Sequence, residues 1–329
     1  MRILFVADEW DYGHRDRGHS FEYDTFYRTL EHDGHDMKLF DVGGVRGMEP
    51  ASVDDSLRKA VHEHEPDVVM CFLFETEIPP TALARVRDED AIPVVNWFPD
   101  DHWRYESFSR HYAPCLSLSV TTSSLAAARY EAEGFPHLMS QWGYADKVFG
   151  KKPPVDQPSP QVVFVGQPYG ARARALEKLN RALPEGAGVE LYGFGTSNGR
   201  VPMARMFDLF NGSAAAVNFA SSWQPGLVGR LRRGQILPRR IPPQLKARVF
   251  EVTGAGGLLL TETSEDLPRY FAEGTEIVVF EDEKELAEAA REALTNETWR
   301  LAIAVAGFDR CHREHTMSLR LQGVLEAVT

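Results

Sequence analysis

Short, almost wholly apolar runs alternate along the chain with stretches whose apolar residues recur every three or four positions. The first kind predicts strands buried on both faces, and the second predicts helices with one buried side. In the first half, strands are expected over 2–7, 36–40, 67–73, 92–97 and 116–121, and helices over 26–32, 52–64, 81–88 and 123–133. Gly34 stops the first helix and Ser123 caps the last. Strands that alternate with helices in this way form a parallel, doubly wound sheet. Ligands of such sheets lie beyond the C-terminal strand ends. Four polar segments fall there: 8–23, 74–78, 98–104 and 121–124.

Residues 146–160 are rich in proline and charge, as a linker is, and the alternation then restarts. Strands are expected over 161–166, 189–192, 214–219, 258–260 and 276–280. Helices are expected over 171–182, 202–210 and 283–295, and a last one over 299–328 that breaks near Gly307 and His315. Two α/β halves joined by a linker predict a ligand cleft between them.

The second half is organised around residues 241–262, read as a short helix, a glycine turn and a buried strand. Pro243 suits a first helical position. Leu245, Val249 and Val252 share one face, and Gln244, Arg248 and Glu251 another. Gly254, Gly256 and Gly257 end the helix. Lys246 and Arg248 read either as cations for a diphosphate or as part of a solvated face. Glu251 reads either as an acceptor for a ribose diol or as an ordinary surface carboxylate.

Composition narrows the field. The net charge of −12 and pI near 5.4 argue against a general nucleic-acid binder, which needs a basic footprint. Cys71, Cys115 and Cys311 are scattered and odd in number, as reduced thiols in a cytoplasmic protein would be. No apolar run reaches the roughly 20 residues of a membrane span. No cluster has the spacing of a metal site, so none is expected.

Three further segments carry candidate chemistry. F-V-G-Q-P-Y-G-A-R at 164–172 joins a strand to a helix through glycines, either as a phosphate site or as a plain tight turn. Y-G-F-G at 192–195 is a second, weaker turn of the kind. W-F-P-D-D-H-W-R at 97–104 offers Asp100, Asp101 and His102 as a general base, or else as a helix cap over packed tryptophans. In H-S-F-E-Y at 19–23, Glu22 and Tyr23 either cap a helix or line the cleft. His312 and His315 read as surface histidines. Arg230, Arg232, Arg233, Arg239 and Arg240 read as a solvated loop or as an anion funnel.

These residues together resemble a family, the CgeB-like (spore-maturation-type) glycosyltransferases. The likeness rests on G-H-S-F-E-Y-D-T-F-Y-R-T-L, W-F-P-D-D-H-W-R-Y-E, V-T-T-S-S and S-Q-W-G-Y in the first half. In the second it rests on F-V-G-Q-P-Y-G-A-R, Q-L-K-A-R-V-F-E-V-T-G-A-G-G-L-L-L-T-E and R-E-H-T-M-S-L-R. The resemblance implies a GT-B fold: two Rossmann-like, doubly wound domains facing each other across a cleft. Residues 1–147 would bind the acceptor and 148–307 the nucleotide sugar, and the C-terminal helix 308–329 would cross back to the first domain. It also implies a hexosyl- or pentosyltransferase that moves sugar from a UDP-, GDP- or dTDP-sugar to a hydroxyl or amine, with no tightly bound cofactor. The donor would be held by Gly166, Gln167, Tyr169, Gly170, Arg172, Tyr192, Gly193, Gly195, Lys246, Arg248 and Glu251. The acceptor would be held by His19, Ser20, Glu22, Tyr23 and Trp103. Catalysis would fall to Asp100, Asp101, His102 and Lys246. Related retaining enzymes often carry a glutamate eight residues before the ribose-binding one, where this chain has Pro243. The alternatives are a non-catalytic nucleotide-sugar sensor or scaffold, and a nucleotide-sugar epimerase.

Overall fold

A computed structural model describes residues 1–221 and 243–328. The arginines at 230–240 lie outside the described residues. The chain divides into two compact units, Met1–Gly150 with His315–Thr329, and Lys151–Glu314.

Unit 1 is built on a six-stranded, wholly parallel sheet. Its strands are β1 (Arg2–Ala7), β2 (Asp36–Asp41), β3 (Val68–Cys71), β4 (Val94–Phe98), β5 (Leu118–Thr121) and β6 (His137–Met139). The order is β2-β1-β3-β4-β5-β6. From β1 the chain goes out to β2 and returns past β1 to β3, so the topology reverses between β1 and β3. The uninterrupted apolar runs are explained by burial. Every residue of β3, β4 and β5 is buried, and each large apolar side chain so placed contributes about 1.5–3 kcal/mol. Helices Pro50–His64, Pro80–Asp88 and Ser124–Glu133 pack their apolar stripes against the sheet core. Two five-residue π-helical turns, Tyr23–Tyr27 and Tyr105–Ser109, interrupt helical segments in this unit. Such turns carry no periodicity signal, which is why the sequence pattern passes over the second entirely.

Unit 2 repeats the plan with five parallel strands, β7 (Ser159–Val165), β8 (Gly188–Tyr192), β9 (Ser213–Asn218), β10 (Leu259–Thr261) and β11 (Val278–Val279). Their order, β11-β10-β9-β7-β8, reverses between β7 and β9. Helix Ala247–Gly254 buries Val249 and Val252, with Leu245 buried just before it, and β10 follows. Pro243 is not the first helical residue. The helix starts four residues later: the Gln244 amide donates to the Ala220 carbonyl at 3.1 Å, and Lys246, extended, stands as the N-cap. The end of the chain holds two helices, Glu297–Glu314 and Met317–Glu326, with the break at His315 alone. His315 is buried there, not a surface histidine. The three cysteines are free thiols. Among the described residues, no helix is long and apolar enough to cross a membrane.

Candidate functional sites at the two switch points

In unit 2 the strand order reverses between β7 and β9; of the predicted donor residues, Gly166 to Arg172 follow β7, Tyr192 ends β8 with Gly193 and Gly195 after it, and Lys246, Arg248 and Glu251 lie at and in helix Ala247–Gly254. β7 runs into Gly166, whose amide donates to the Tyr192 carbonyl at 2.8 Å, tying the two glycine turns together. Gly193 lies so close to Gly166 that a Cβ on it would stand 2.2 Å from the Gly166 carbonyl oxygen. No side chain fits there. Gly170 then leads into helix Ala171–Ala182, whose first amides and dipole favour an anion.

Past β9, the Ser221 carbonyl is the point where two cations meet. Arg172 Nη2 donates to it, and Lys246 Nζ donates to it at 3.0 Å. The Arg172 guanidinium lies over the Tyr169 ring at 4.6 Å and near that of Phe219 at 5.9 Å. Burial pulls the Arg172 pKa below its ordinary value. Two cations aimed at one peptide oxygen make a centre that a diphosphate would complete more fully than a carbonyl does.

Arg248 and Glu251 sit in helix Ala247–Gly254, which Lys246 precedes as its N-cap. Arg248 Nη1 is 2.7 Å from Glu251 Oε2 and 2.6 Å from Met206 Sδ, and its guanidinium stands 5.0 Å from the Phe210 ring centroid. The Glu251 side chain is buried, and burial raises its pKa against the pull of Arg248. The structure therefore groups Arg172 with Lys246, and Arg248 with Glu251. Tyr192 bonds Glu190 through its hydroxyl at 3.0 Å, while Gln167 and Gly195 are exposed or nearly so.

Unit 1 holds a cavity of about 660 Å³ at its own switch point. Asp8 follows β1, Phe72 to Glu77 follow β3, and Asp100, Trp103 and Arg104 follow β4; all of these but Thr76 reach its lining. Ser20 and Glu22 line it from the loop and helix after β1. Ser20 both donates to the Asp8 carbonyl at 2.6 Å and accepts from the Tyr23 amide at 3.0 Å, so serine caps this helix and Glu22 falls in its first turn. Glu22 is almost wholly buried. Burial, with Asp8 and Asp11 nearby, pushes its pKa up to about 8.

Arg46 bridges two carboxylates on this wall, Asp8 at 2.9 Å and Glu77 at 3.2 Å. Trp142 stacks edge-on with Phe21 at 5.4 Å. Neither Arg46 nor Trp142 stands out in the sequence as a site residue. Arg46 sits in a glycine-rich G-G-V-R-G loop, and Trp142 in S-Q-W-G-Y, which served only as a family likeness. His19 and Tyr23 form a stack beside the lining residues, at 4.4 Å, with Trp10 on one side and Tyr27 on the other.

Asp100 and Asp101 part company. Asp100 lines the cavity. Asp101 is buried outside that lining and accepts hydrogen bonds from Ser109 Oγ and from Tyr130 Oη, the latter at 3.0 Å. Burial raises its pKa to about 6. That arrangement ties the turn after β4 to the helix after β5. His102, beside it, is partly buried and does not line the cavity. Among the described residues, no group of three or more acidic, histidine or cysteine side chains is placed to hold a metal ion.

Residues 172–326 match a family model described as "Glycosyl transferase-like". No curated protein matches the chain. Solved structures do. The Anabaena protein Alr3699/HepE, crystallised with UDP and glucose, is 14% identical with a TM-score of 0.63, over 99% of this chain and 98% of that one. Sucrose-phosphate synthase of Thermosynechococcus elongatus is 9% identical with a TM-score of 0.67, over 99% and 98%. UDP-GlcNAc 2-epimerase of Neisseria meningitidis, bound to UDP-GlcNAc, is 11% identical with a TM-score of 0.57, over 99% of each chain. At these identities the likeness establishes the fold, the two-unit α/β layout of GT-B glycosyltransferases.

Proposed function

We propose that this protein is a glycosyltransferase that uses a nucleoside-diphosphate sugar, with unit 2 holding the donor and unit 1 the acceptor. The carrying observation is the convergence of Arg172 and Lys246 on the Ser221 carbonyl, at the switch point and beside the start of helix Ala171–Ala182. Breaking the bond between the sugar's C1 and the phosphate puts negative charge on the departing diphosphate. Fixed cations and helix-end amides at that spot stabilise the charge as it forms. Lys246 and Arg172 fill this role, and Glu251, oriented by Arg248, accepts from the ribose hydroxyls. UDP is the first nucleotide to try, because Alr3699/HepE was crystallised with it and the Neisseria meningitidis epimerase with UDP-GlcNAc. Membership of the CgeB-like family and a cytoplasmic site of action belong to the same reading.

Titration of the protein with UDP, GDP and dTDP by calorimetry tests the donor half. One nucleotide is expected to bind, and Lys246→Ala and Arg172→Ala each to weaken it about tenfold or more, the scale of a lost charge-assisted contact. Nucleotide affinity indifferent to both substitutions would remove the assignment. The likeness to an epimerase sustains one rival. Product analysis separates the two: an epimerase alters the nucleotide sugar with no acceptor present, and a transferase does not.

A further inference from the structure

Among the described residues, four phenylalanines, tyrosines or tryptophans are exposed: Tyr12 at 75%, Phe194 at 64%, Phe74 at 37% and Trp103 at 36%. Three of the four, all but Phe194, line the cavity of unit 1. Single exposed rings are ordinary on a protein surface, but three gathered on one concavity mark a binding surface. Tyr12 is also held at a φ of 52°, in the left-handed region that residues with a side chain rarely adopt, and such strain collects at ligand sites. Further rings continue from this rim. Phe74 meets Phe72 at 5.2 Å, Phe72 meets Trp142 at 6.4 Å, and Trp142 meets Phe21 at 5.4 Å, each of them a lining residue.

The polar groups of the wall narrow the ligand. Arg46 is bridged to Asp8 and Glu77, and Arg104 stands 3.9 Å from Glu75, so both guanidiniums of the lining are matched by carboxylates. An incoming phosphate or carboxylate would have to displace one of those partners. Hydroxyls displace nothing, because they donate to carboxylate oxygens and accept from N–H groups that stay paired. Glu22, almost wholly buried, holds its proton up to about pH 8, so at neutral pH it meets a ligand as an uncharged donor and acceptor. A flat phenolic ligand would use the rings as well, but would leave most of the polar wall unmatched. The volume of about 660 Å³ suits a drug-sized ligand, a scale that two linked sugar rings share.

We propose that the cavity of unit 1 binds a neutral oligosaccharide, with the C–H faces of its sugar rings stacked on Tyr12, Phe74 and Trp103 and its hydroxyls bonded to the paired ionic groups of the wall. In taking that saccharide for the acceptor, the proposal rests on the transferase reading above.

The test uses the full chain, with maltose, cellobiose and mannobiose as neutral probes, a disaccharide carrying a glucuronate as an anionic one, and naringenin as a flat phenol. Calorimetry at low and at physiological salt measures each. At least one neutral disaccharide is expected to bind, more tightly than the glucuronate disaccharide and equally at both salt levels, since no new ion pair forms. Trp103→Ala and Phe74→Ala should each weaken it about two- to tenfold, the scale of a lost ring contact, and Trp103→Phe, which keeps a ring, should weaken it less. Tyr12→Ala, at the most exposed of the three, serves if either alanine variant fails to fold. Phe194→Ala removes the exposed ring outside this cavity and should leave saccharide affinity unchanged. No affinity for any neutral disaccharide, affinity indifferent to all three rings, tightest binding of the glucuronate disaccharide, or ring-dependent binding of naringenin alone would each overturn the proposal. Its failure differs visibly from failure of the transferase reading. The first leaves nucleotide binding intact with no neutral saccharide bound, and the second leaves ring-dependent saccharide binding in a protein that binds no nucleotide.

Discussion

Glu22 shows how much one side chain sets at this site. Its folded pKa is about 8 against an ordinary 4.5, chiefly because burial disfavours the anion. Between those values the folded protein holds a proton that the unfolded chain releases. The stability this group contributes is therefore full below about pH 4.5 and declines as pH climbs toward 8. Glu22→Gln removes the titration, so the variant should gain on the wild type by about 3 kcal/mol between pH 5 and pH 8. Urea unfolding at both pH values checks it, and parallel stability curves would refute it. The same residue marks what the sequence discloses at this scale. H-S-F-E-Y advertises Glu22, and W-F-P-D-D-H-W-R advertises Asp100 and Trp103. Which of two adjacent aspartates meets the cavity depends on Tyr130, twenty-nine positions away, and no local pattern carries that.

Among the elements, helix Glu297–Glu314 best separates propensity from packing. Gly307 sits mid-helix, where glycine costs about 1 kcal/mol relative to alanine. Periodicity thus marks it as a break, yet the helix runs through it. The reason is the neighbouring backbone: a Cβ at 307 would stand 2.4 Å from the Glu276 carbonyl oxygen. Gly307→Ala should destabilise the protein by about 1–3 kcal/mol through overpacking. Gly323→Ala is the control. It lies in helix Met317–Glu326 with nothing within 4 Å of its Cβ position, so the same change should stabilise by about 0.5–1 kcal/mol. Equal effects at the two positions would show that propensity, not packing, rules both. The real break was readable in T-M-S-L, since Thr316 caps the following helix by accepting from the Leu319 amide at 3.4 Å. Core strands and amphipathic helices were legible because their periods are set by burial. The π-helical turns and the short helix Asp146–Phe149 were not, because they answer to tertiary contacts.

For the whole molecule, the restart of the α/β pattern after the linker was plain in the sequence, whereas the return of the last residues to unit 1 left no mark in hydrophobic periodicity. Unit 1 is discontinuous: its last helix, Met317–Glu326, belongs with Met1–Gly150. Met317, Leu321 and Val324 are wholly buried there. Tyr144 accepts from the Met317 amide at 2.8 Å and donates its own amide to the His315 carbonyl at 3.0 Å. Ser318 Oγ donates to Asp33 at 3.1 Å, and Arg320 Nε to the Trp142 carbonyl at 3.4 Å. The last bond joins the tail to a residue of the cavity wall. At about 1.5–3 kcal/mol for each buried apolar side chain, three of them alone rival the net stability of many domains. A chain ending at Glu314 should therefore lose most of the cooperative unfolding of unit 1 and its saccharide binding. Unit 2 keeps all its strands, so nucleotide binding should persist and still raise a melting transition by mass action. Scanning calorimetry with and without nucleotide reads both effects at once. An unchanged unit 1 transition with saccharide binding intact would mean that the tail only decorates the unit, and loss of the nucleotide-dependent transition would mean that the two units do not fold independently.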